Sequence, residues 1–357
     1  MILLGETHET TGYFPRGSFV LKKNDNELVS KWLTFKLTNE GCADSTIDKY
    51  RGYLSRLSDY LENDLVDTGT DDLVDFTGLH LHESGAAPSS RRAVVAAVKS
   101  FYKWATVNKL CLLNPAENLV YPKKRSLVPI AMSLKNSEKL LMQPDISTFK
   151  GLRDAAVLAL FIGTGARLHG IINLNKRDLI TFEYQGIDRL AVKLKEKGSK
   201  ERIVPVPPEA ALLLRAYLGH DELSLIDTAL PNGDHVVFVN LKNNHVPSYE
   251  HRGEARRLGK RGIQQMIKDY SILAGVPESQ AHAHAFRHLV GAELAEESAT
   301  PFEMMAILGH AQEDTTAIYA QLALRKLTEV LDRANPLGKI ETRVSPLVKE
   351  FKARGYL

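Results

Sequence analysis

Glu196–Lys–Gly–Ser–Lys–Glu–Arg–Ile–Val–Pro205 reads as the turn and return arm of a β-hairpin. The short runs Leu190–Leu194 and Ile203–Val206 lie on either side of a Lys/Gly/Ser turn, the pattern of two strands joined by a tight connection. On both sides of the hairpin, apolar residues return at three- and four-residue steps, so helices are expected at about 149–163 and 207–218. A small β-hairpin or sheet set in a largely helical chain predicts a mainly α fold.

Working outward, Leu28, Trp32 and Phe35 share one helix face, and Ile47, Tyr50, Leu54, Leu57 and Leu61 share the next. A third helix is expected to start near Ser89 or Ser90 as N-cap and to bury Val94, Ala97, Phe101 and Trp104. Its other side carries Arg92, Lys99 and Lys103, a basic front that fits a solvated face as well as a DNA-facing one. Asn114–Pro115 ends this block, and Tyr121–Pro–Lys–Lys–Arg–Ser–Leu–Val–Pro129 has the proline and charge of an exposed linker. Five segments are therefore expected: an extension over 1–24 broken by Gly5, Gly12, Pro15 and Gly17; a helical domain over 25–120; a linker over 121–132; a mixed but mostly helical domain over 133–340; and a tail over 341–357. Within the second domain, Ile263, Ile267, Tyr270 and Ala274 mark a helix closed by Gly275 and Pro277. Thr300–Pro301–Phe–Glu303 is a capping box with Pro at the first helical position. Asp314 is placed to cap a following helix that carries Tyr319 in its second turn, and Ser345–Pro346 with Leu347 and Phe351 suits a short terminal helix.

The 357 residues are 44% hydrophobic and 25% charged, ordinary for a globular protein with a full core, and the net charge of +3 is mild. Distribution says more than the sum. Basic residues gather in Lys123–Lys–Arg125, from Lys193 to Arg202, and from Arg252 to Lys268. Candidate DNA contacts are Arg92, Lys99, Lys103, Lys123, Lys124, Lys200, Arg202, Arg256, Arg257, Lys260 and Arg261. Cys42 and Cys111 stand far apart without metal-ligand spacing and are expected to be reduced thiols. No signal peptide is expected at Met1–Gly12, and the apolar run Ala155–Gly163 is too short to span a bilayer, so a cytoplasmic or nucleoid protein is expected.

The chemistry rests on an ordered series: Gly163–Thr–Gly–Ala–Arg167, then Lys197, then His284–Ala–Phe–Arg287, then Leu308–Gly–His310, then Thr315–Thr–Ala–Ile–Tyr319. Singly each motif is ordinary. Arg167 alone reads as a surface ion-pair former and Tyr319 alone as a core tyrosine. His282, His284 and His288 lack a Cys or an acid to complete a metal site. Period-two alternation puts Lys193, Lys195 and Lys197 on one side of the hairpin without choosing among them. Order and local context carry the inference.

In that order and context the chain resembles the tyrosine site-specific recombinases, the Xer recombinases and phage-type integrases, over roughly residues 25–340. The resemblance implies a SAM-like core-binding domain ahead of a catalytic domain of tyrosine recombinase fold. It implies that Arg167, Lys197, His284, Arg287, His310 and Tyr319 form the catalytic set, and its Lys–Gly turn selects Lys197. The chemistry of such a set is phenolate attack on a phosphodiester. Two guanidiniums suit the non-bridging oxygens of the transition state, His284 suits proton acceptance from Tyr319, Lys197 suits protonation of the departing 5′-oxygen, and His310 suits orientation of the phosphate. The phosphotyrosyl bond conserves the energy of the broken diester, so no metal or nucleotide cofactor is expected. The implied partners are double-stranded DNA at a specific core site, three further copies of the chain on two such sites, and accessory proteins, with strand exchange through a Holliday junction. The series Leu322, Leu324, Leu327 and Leu331 suits docking on a neighbouring protomer. Two other readings use the same scaffold: a topoisomerase IB-like or telomere-resolving enzyme, and a non-catalytic DNA-binding protein. One departure stands out. Gly170 occupies the place, three residues after the first arginine, where the family commonly has an acid, and Asp178 is a candidate to compensate.

Overall fold

The computed structural model describes residues 21–123, 131–195, 201–242, 246–309 and 317–355; the side chains of residue 23 and of 317–323 lie outside that description. The chain forms two compact units, Met1–Leu127 and Val128–Leu357.

The first unit holds α1 (Lys23–Thr38), α2 (Asp44–Tyr60), α3 (Thr70–Asp75), α4 (Leu81–Glu83) and α5 (Pro88–Val107), with a π-helical turn, Phe76–His80, joining α3 to α4. Its core is the stripe predicted by helical spacing: Trp32, Leu54, Leu57, Val94 and Phe101 are buried, and Trp32 stacks on Tyr50 at 5.2 Å and meets Phe101 edge-on at 5.6 Å. Lys22 ties down the end of α2, donating from Nζ to the carbonyls of Leu61, Glu62 and Asn63 at 2.7, 2.9 and 2.8 Å. One boundary differs from expectation. α5 starts at Pro88 with Ala87 as N-cap, so Ser89 and Ser90 fall inside its first turn. The fixed φ of proline is preorganised for that position and overrides the capping preference of the serines.

The second unit is built round α7 (Phe149–Thr164), buried along nearly its whole length. α6 (Leu134–Leu141) precedes it, and α8 (Leu168–Ile172) follows after three residues, Gly165, Ala166 and Arg167. A three-stranded antiparallel sheet comes next: β1 (Leu179–Tyr184), β2 (Ile187–Lys195) and β3 (Glu201–Val206), in the order β1-β2-β3. The two expected strands are therefore β2 and β3 of a larger sheet, with β2 at its centre and β3 at one edge. β1 was not anticipated, although Leu179–Ile–Thr–Phe–Glu–Tyr184 is rich in strand formers and is followed by a two-residue turn, Gln185–Gly186, with both residues at positive φ. Then come α9 (Pro208–Leu218), α10 (Asp221–Ser224), α11 (Lys260–Ala274), α12 (Ala283–Glu296), α13 (Pro301–Leu308), α14 (Ala317–Ala334) and α15 (Ser345–Ala353). The capping box at Thr300 and Glu303 forms as its sequence predicts.

α9 and α12 pack on α7, with Phe161 stacked on Phe286 at 5.8 Å. Asp154, fully buried, accepts from Arg153 at 2.6 Å, Lys150 at 3.0 Å and the Tyr270 hydroxyl at 3.0 Å, so no charge in this helix is buried unpaired. Leu327 and Leu331 of α14 belong to this same core, and Leu324 is buried beside them. These leucines pack within their own unit and do not form a free docking face. An apolar period records that a face is buried, not which chain buries it. The segment expected as a tail carries α15, with Val344 and Val348 in the core. Among the described residues no helix is long and apolar enough to cross a membrane.

Candidate active site

Two helix ends build the site. α7 stops because Gly165 turns into the left-handed region at φ 59°, and α13 stops in the same way at Gly309, φ 72°. At Gly165 a Cβ would lie 2.9 Å from Leu308 Cδ2 and 3.3 Å from Val290, so glycine serves both the backbone turn and the close approach of α12 and α13. Carbonyls at such ends have lost their helical partners and carry the negative end of the helix dipole, which favours a guanidinium.

Arginines take them. Arg287, in the first half of α12, donates from Nη1 to the Gly165 carbonyl at 2.9 Å and from Nη2 to the Leu308 carbonyl, lacing the ends of α7 and α13 together. Arg167, the N-cap residue of α8, donates from Nη2 to the Gly309 carbonyl at 3.3 Å. The glycines of the Thr–Gly–Ala–Arg and Leu–Gly–His motifs thus present the acceptors that position the two arginines.

The electrostatics is repulsive by construction. Burial, then the charges of Arg167 and Arg202, push the Arg287 guanidinium down to about 9. Burial, then Arg167, pushes Arg202 down to about 9 as well, and burial lowers Arg167. All three remain cations at neutral pH. His284, one turn before Arg287, is held below the usual imidazole range by burial and then by His282, Arg287, His288 and Arg167. Cations crowded at one place in this way are suited to binding an anion.

The Phage integrase family model matches residues 132–325, and the model for the phage integrase N-terminal SAM-like domain matches residues 29–109. The chain belongs to the phage integrase family. Its members are the tyrosine recombinases, enzymes that break and rejoin DNA at specific sites, and this chain is one of them. The tyrosine recombinase XerC of Myxococcus xanthus is 30% identical over 250 residues, covering 70% of this chain and 77% of the relative. XerD of Haemophilus influenzae is 26% identical over 313 residues, covering 87% of this chain and 98% of its own length. Among solved structures, the XerH site-specific recombinase in a post-cleavage complex with palindromic difH substrate aligns with a TM-score of 0.59 at 17% identity, over 87% of this chain and 96% of that one. A lambda integrase dimer bound to a COC′ core site aligns at 0.56 and 13%, over 82% and 98%. The fold is that of the tyrosine recombinases.

In this phage integrase family chain, Lys197 and His310 lie outside the described residues, as do Lys124, Lys200 and Asp314. Tyr319 stands in the first turn of α14 as described from Ala317, and its side chain is outside the description. Among the described residues of the hairpin, the two lysines have carboxylate partners: Lys193 pairs with Glu201 at 3.1 Å and Lys195 with Asp178 at 3.3 Å. Asp178 is buried and also accepts from the Asn175 amide at 3.0 Å, so it braces the turn into β1. The place of the missing acid is apolar. Leu194 of β2 packs on Gly170, with Cδ2 3.4 Å from where a Cβ would stand. His169 is bound to Asn173 at 2.8 Å.

The surface candidates separate into two kinds. Arg92 donates to the Pro122 carbonyl at 2.6 Å and lies over the Tyr121 ring at 5.1 Å. Lys99 donates to the carbonyls of Glu117 and Leu119 at 2.7 and 3.0 Å. Arg257 pairs with Glu254 and donates to the Ile172 carbonyl at 2.9 Å and to Asn175 at 2.8 Å, fastening the end of α8. These three brace their own chain. Lys103, Lys123, Lys260 and Arg261 are exposed, and Arg256 is half-buried. Arg202 belongs to neither kind, since its charge acts on Arg167 and Arg287. The signal for that was available in the alternation of β3, where Arg202 shares a face with Val204 and Val206.

Proposed function

We propose that this tyrosine recombinase cleaves duplex DNA at a specific core site by attack of Tyr319, and that Arg167, Lys197, His284, Arg287 and His310 complete its catalytic set. The observation that carries the reading is the pair of arginines anchored on two glycine-capped helix ends, beside an imidazole kept in its neutral form. A phosphodiester entering this cluster exchanges repulsion among cations for charge-assisted hydrogen bonds to its non-bridging oxygens, which gather charge in the transition state. The Tyr319 oxygen bonds to phosphorus as the bond to the 5′-oxygen breaks. The phenol, with an ordinary pKa near 10, gives its proton to His284. The departing 5′-oxygen takes a proton from Lys197, a choice supported by the carboxylate partners of Lys193 and Lys195. His310 orients the phosphate. Attack by another strand's 5′-hydroxyl on the phosphotyrosine reverses these transfers and frees the tyrosine.

Residues 25–120 serve in this reading as the core-binding domain, 121–132 as the linker and 133–340 as the catalytic domain. Four protomers on two sites exchange one strand pair, pass through a Holliday junction and exchange the other, acting in the cytoplasm where the DNA lies. The test uses a duplex selected by the protein from a random pool and nicked beside the cleavage point, so that the released fragment diffuses away. Wild type accumulates a covalent protein–DNA adduct and Tyr319→Phe accumulates none. An adduct that survives Tyr319→Phe overturns the assignment.

A further inference from the structure

Arg202 is an unusual residue for its position. β2 and β3 pair so that Leu194 stands opposite Arg202, and directly opposed residues project on the same face of a sheet. That face is the inner one: Leu190, Val192, Leu194, Val204 and Val206 all enter the core of the second unit. Leu194 packs on Gly170 of α8, and the N-cap residue of α8 is Arg167. The strand register therefore delivers a guanidinium, on the core side, to the helix that begins at Arg167. The mutual repulsion of Arg202 with Arg167 and Arg287 fits this placement. A side chain meant only for outward DNA contact would occupy the alternate positions, Glu201 or Ile203.

We propose that Arg202 is a third cationic ligand of the scissile phosphate, donating to a non-bridging oxygen beside Arg167 and Arg287. The inference rests on the strand-cleavage reading above and extends it by one residue. Leu194 lies in van der Waals contact with the Gly170 position of α8, and the same register carries Arg202 inward. Planar guanidiniums spread along one phosphate share its oxygens, whereas an ammonium at the same place offers a point charge without the fork.

The experiment is single-turnover adduct formation on the selected, nicked duplex, with either a phosphodiester or an uncharged methylphosphonate at the cleavage point. Wild type, Arg202→Ala and Arg202→Lys are compared, with melting curves to verify folding and binding measured separately. On the phosphodiester, Arg202→Ala is expected to slow cleavage about 100-fold or more, the loss typical of one donor to a developing oxyanion, with duplex affinity nearly unchanged. Arg202→Lys recovers part of the rate. On the methylphosphonate, where one charged oxygen is gone, the gap between wild type and Arg202→Ala narrows to less than about tenfold, because the lost guanidinium has less charge to meet. Equal slowing on both substrates, or a loss confined to binding, overturns the proposal and leaves Arg202 a structural or DNA-tracking residue. An adduct from wild type with Arg202→Ala indistinguishable overturns this inference alone. No adduct from wild type overturns the cleavage chemistry itself and this inference with it.

Discussion

The two units use their cations in opposite ways. In the first, Lys22, Arg92 and Lys99 each hold carbonyls of their own chain, Lys22 at the end of α2 and the other two along residues 117–122. Each faces carbonyl acceptors that favour its charge. In the second, Arg167, Arg202 and Arg287 gather round the ends of α7 and α13 and repel one another. The first arrangement is stabilising as it stands. The second crowds like charges at one place, an arrangement that suits the phosphate contact proposed for it. Counting basic residues would rank the regions alike, since basic clusters occur in both. The distinction lies in what each cation faces.

The comparison is broken most severely by removing the platform under the second cluster. Gly165→Ala forces a Cβ into the left-handed region, which costs about 1–2 kcal/mol, and against Leu308 and Val290, where overpacking adds roughly 1–3 kcal/mol. The variant is expected to lose about 2–4 kcal/mol in denaturant unfolding, and its cleavage is expected to fall further than the unfolded fraction explains, because the Gly165 carbonyl no longer holds Arg287. A variant of wild-type stability and rate would show that the capped helix end does not position the arginine.

Acidity tests the repulsion itself. His284 is held below the ordinary imidazole value, about 6.5, by burial first and neighbouring cations after it. A depressed pKa keeps the neutral, proton-accepting form at lower pH. The acid limb of cleavage at sub-saturating DNA, which reports the free enzyme, should therefore lie below 6.5 and fall about tenfold per pH unit beneath it. His288→Gln removes one of the depressing charges without touching the arginines, and the limb should move up toward 6.5. A limb at or above 6.5 in wild type, or one that His288→Gln moves down, contradicts the crowded-cation account.

Local chemistry was legible in the sequence wherever a motif carries its own mechanism. The Thr300–Glu303 capping box, the strands flanking the Lys–Gly turn and the buried faces of α2 and α5 all form from residues a few positions apart. Less is legible where the partner is remote. Nothing near Arg92 or Lys99 announces that residues 117–122 return to lie against them. The apolar series after Tyr319 does not say which chain covers it, and Leu324, Leu327 and Leu331 turn out to be covered by their own unit. Arg202 stands among the candidate DNA contacts because it ends a basic run, and the paired strands place it with Val204 on the inner face. The order of the motifs pointed to the family, and only the fold explains why two of them contain glycine.

The smallest expected effects sharpen the comparison on the first unit. Lys103 is exposed on α5, whereas Arg92, on the same helix, is bound to Pro122 and Tyr121. If the basic front tracks phosphates, Lys103→Ala should reduce the slope of log affinity against log salt by about one, the release of one counterion. Arg92→Ala should leave that slope alone. Instead it removes a hydrogen bond and a cation–π contact, so the first unit should lose about 1 kcal/mol of stability and residues 117–122 should exchange amide hydrogens faster. Binding titrations at several salt concentrations separate the two roles. A slope that falls as much with Arg92→Ala as with Lys103→Ala would mean that Arg92 exchanges its carbonyl for a phosphate on DNA. The division between cations that brace the chain and cations that meet the substrate would then describe the free protein only.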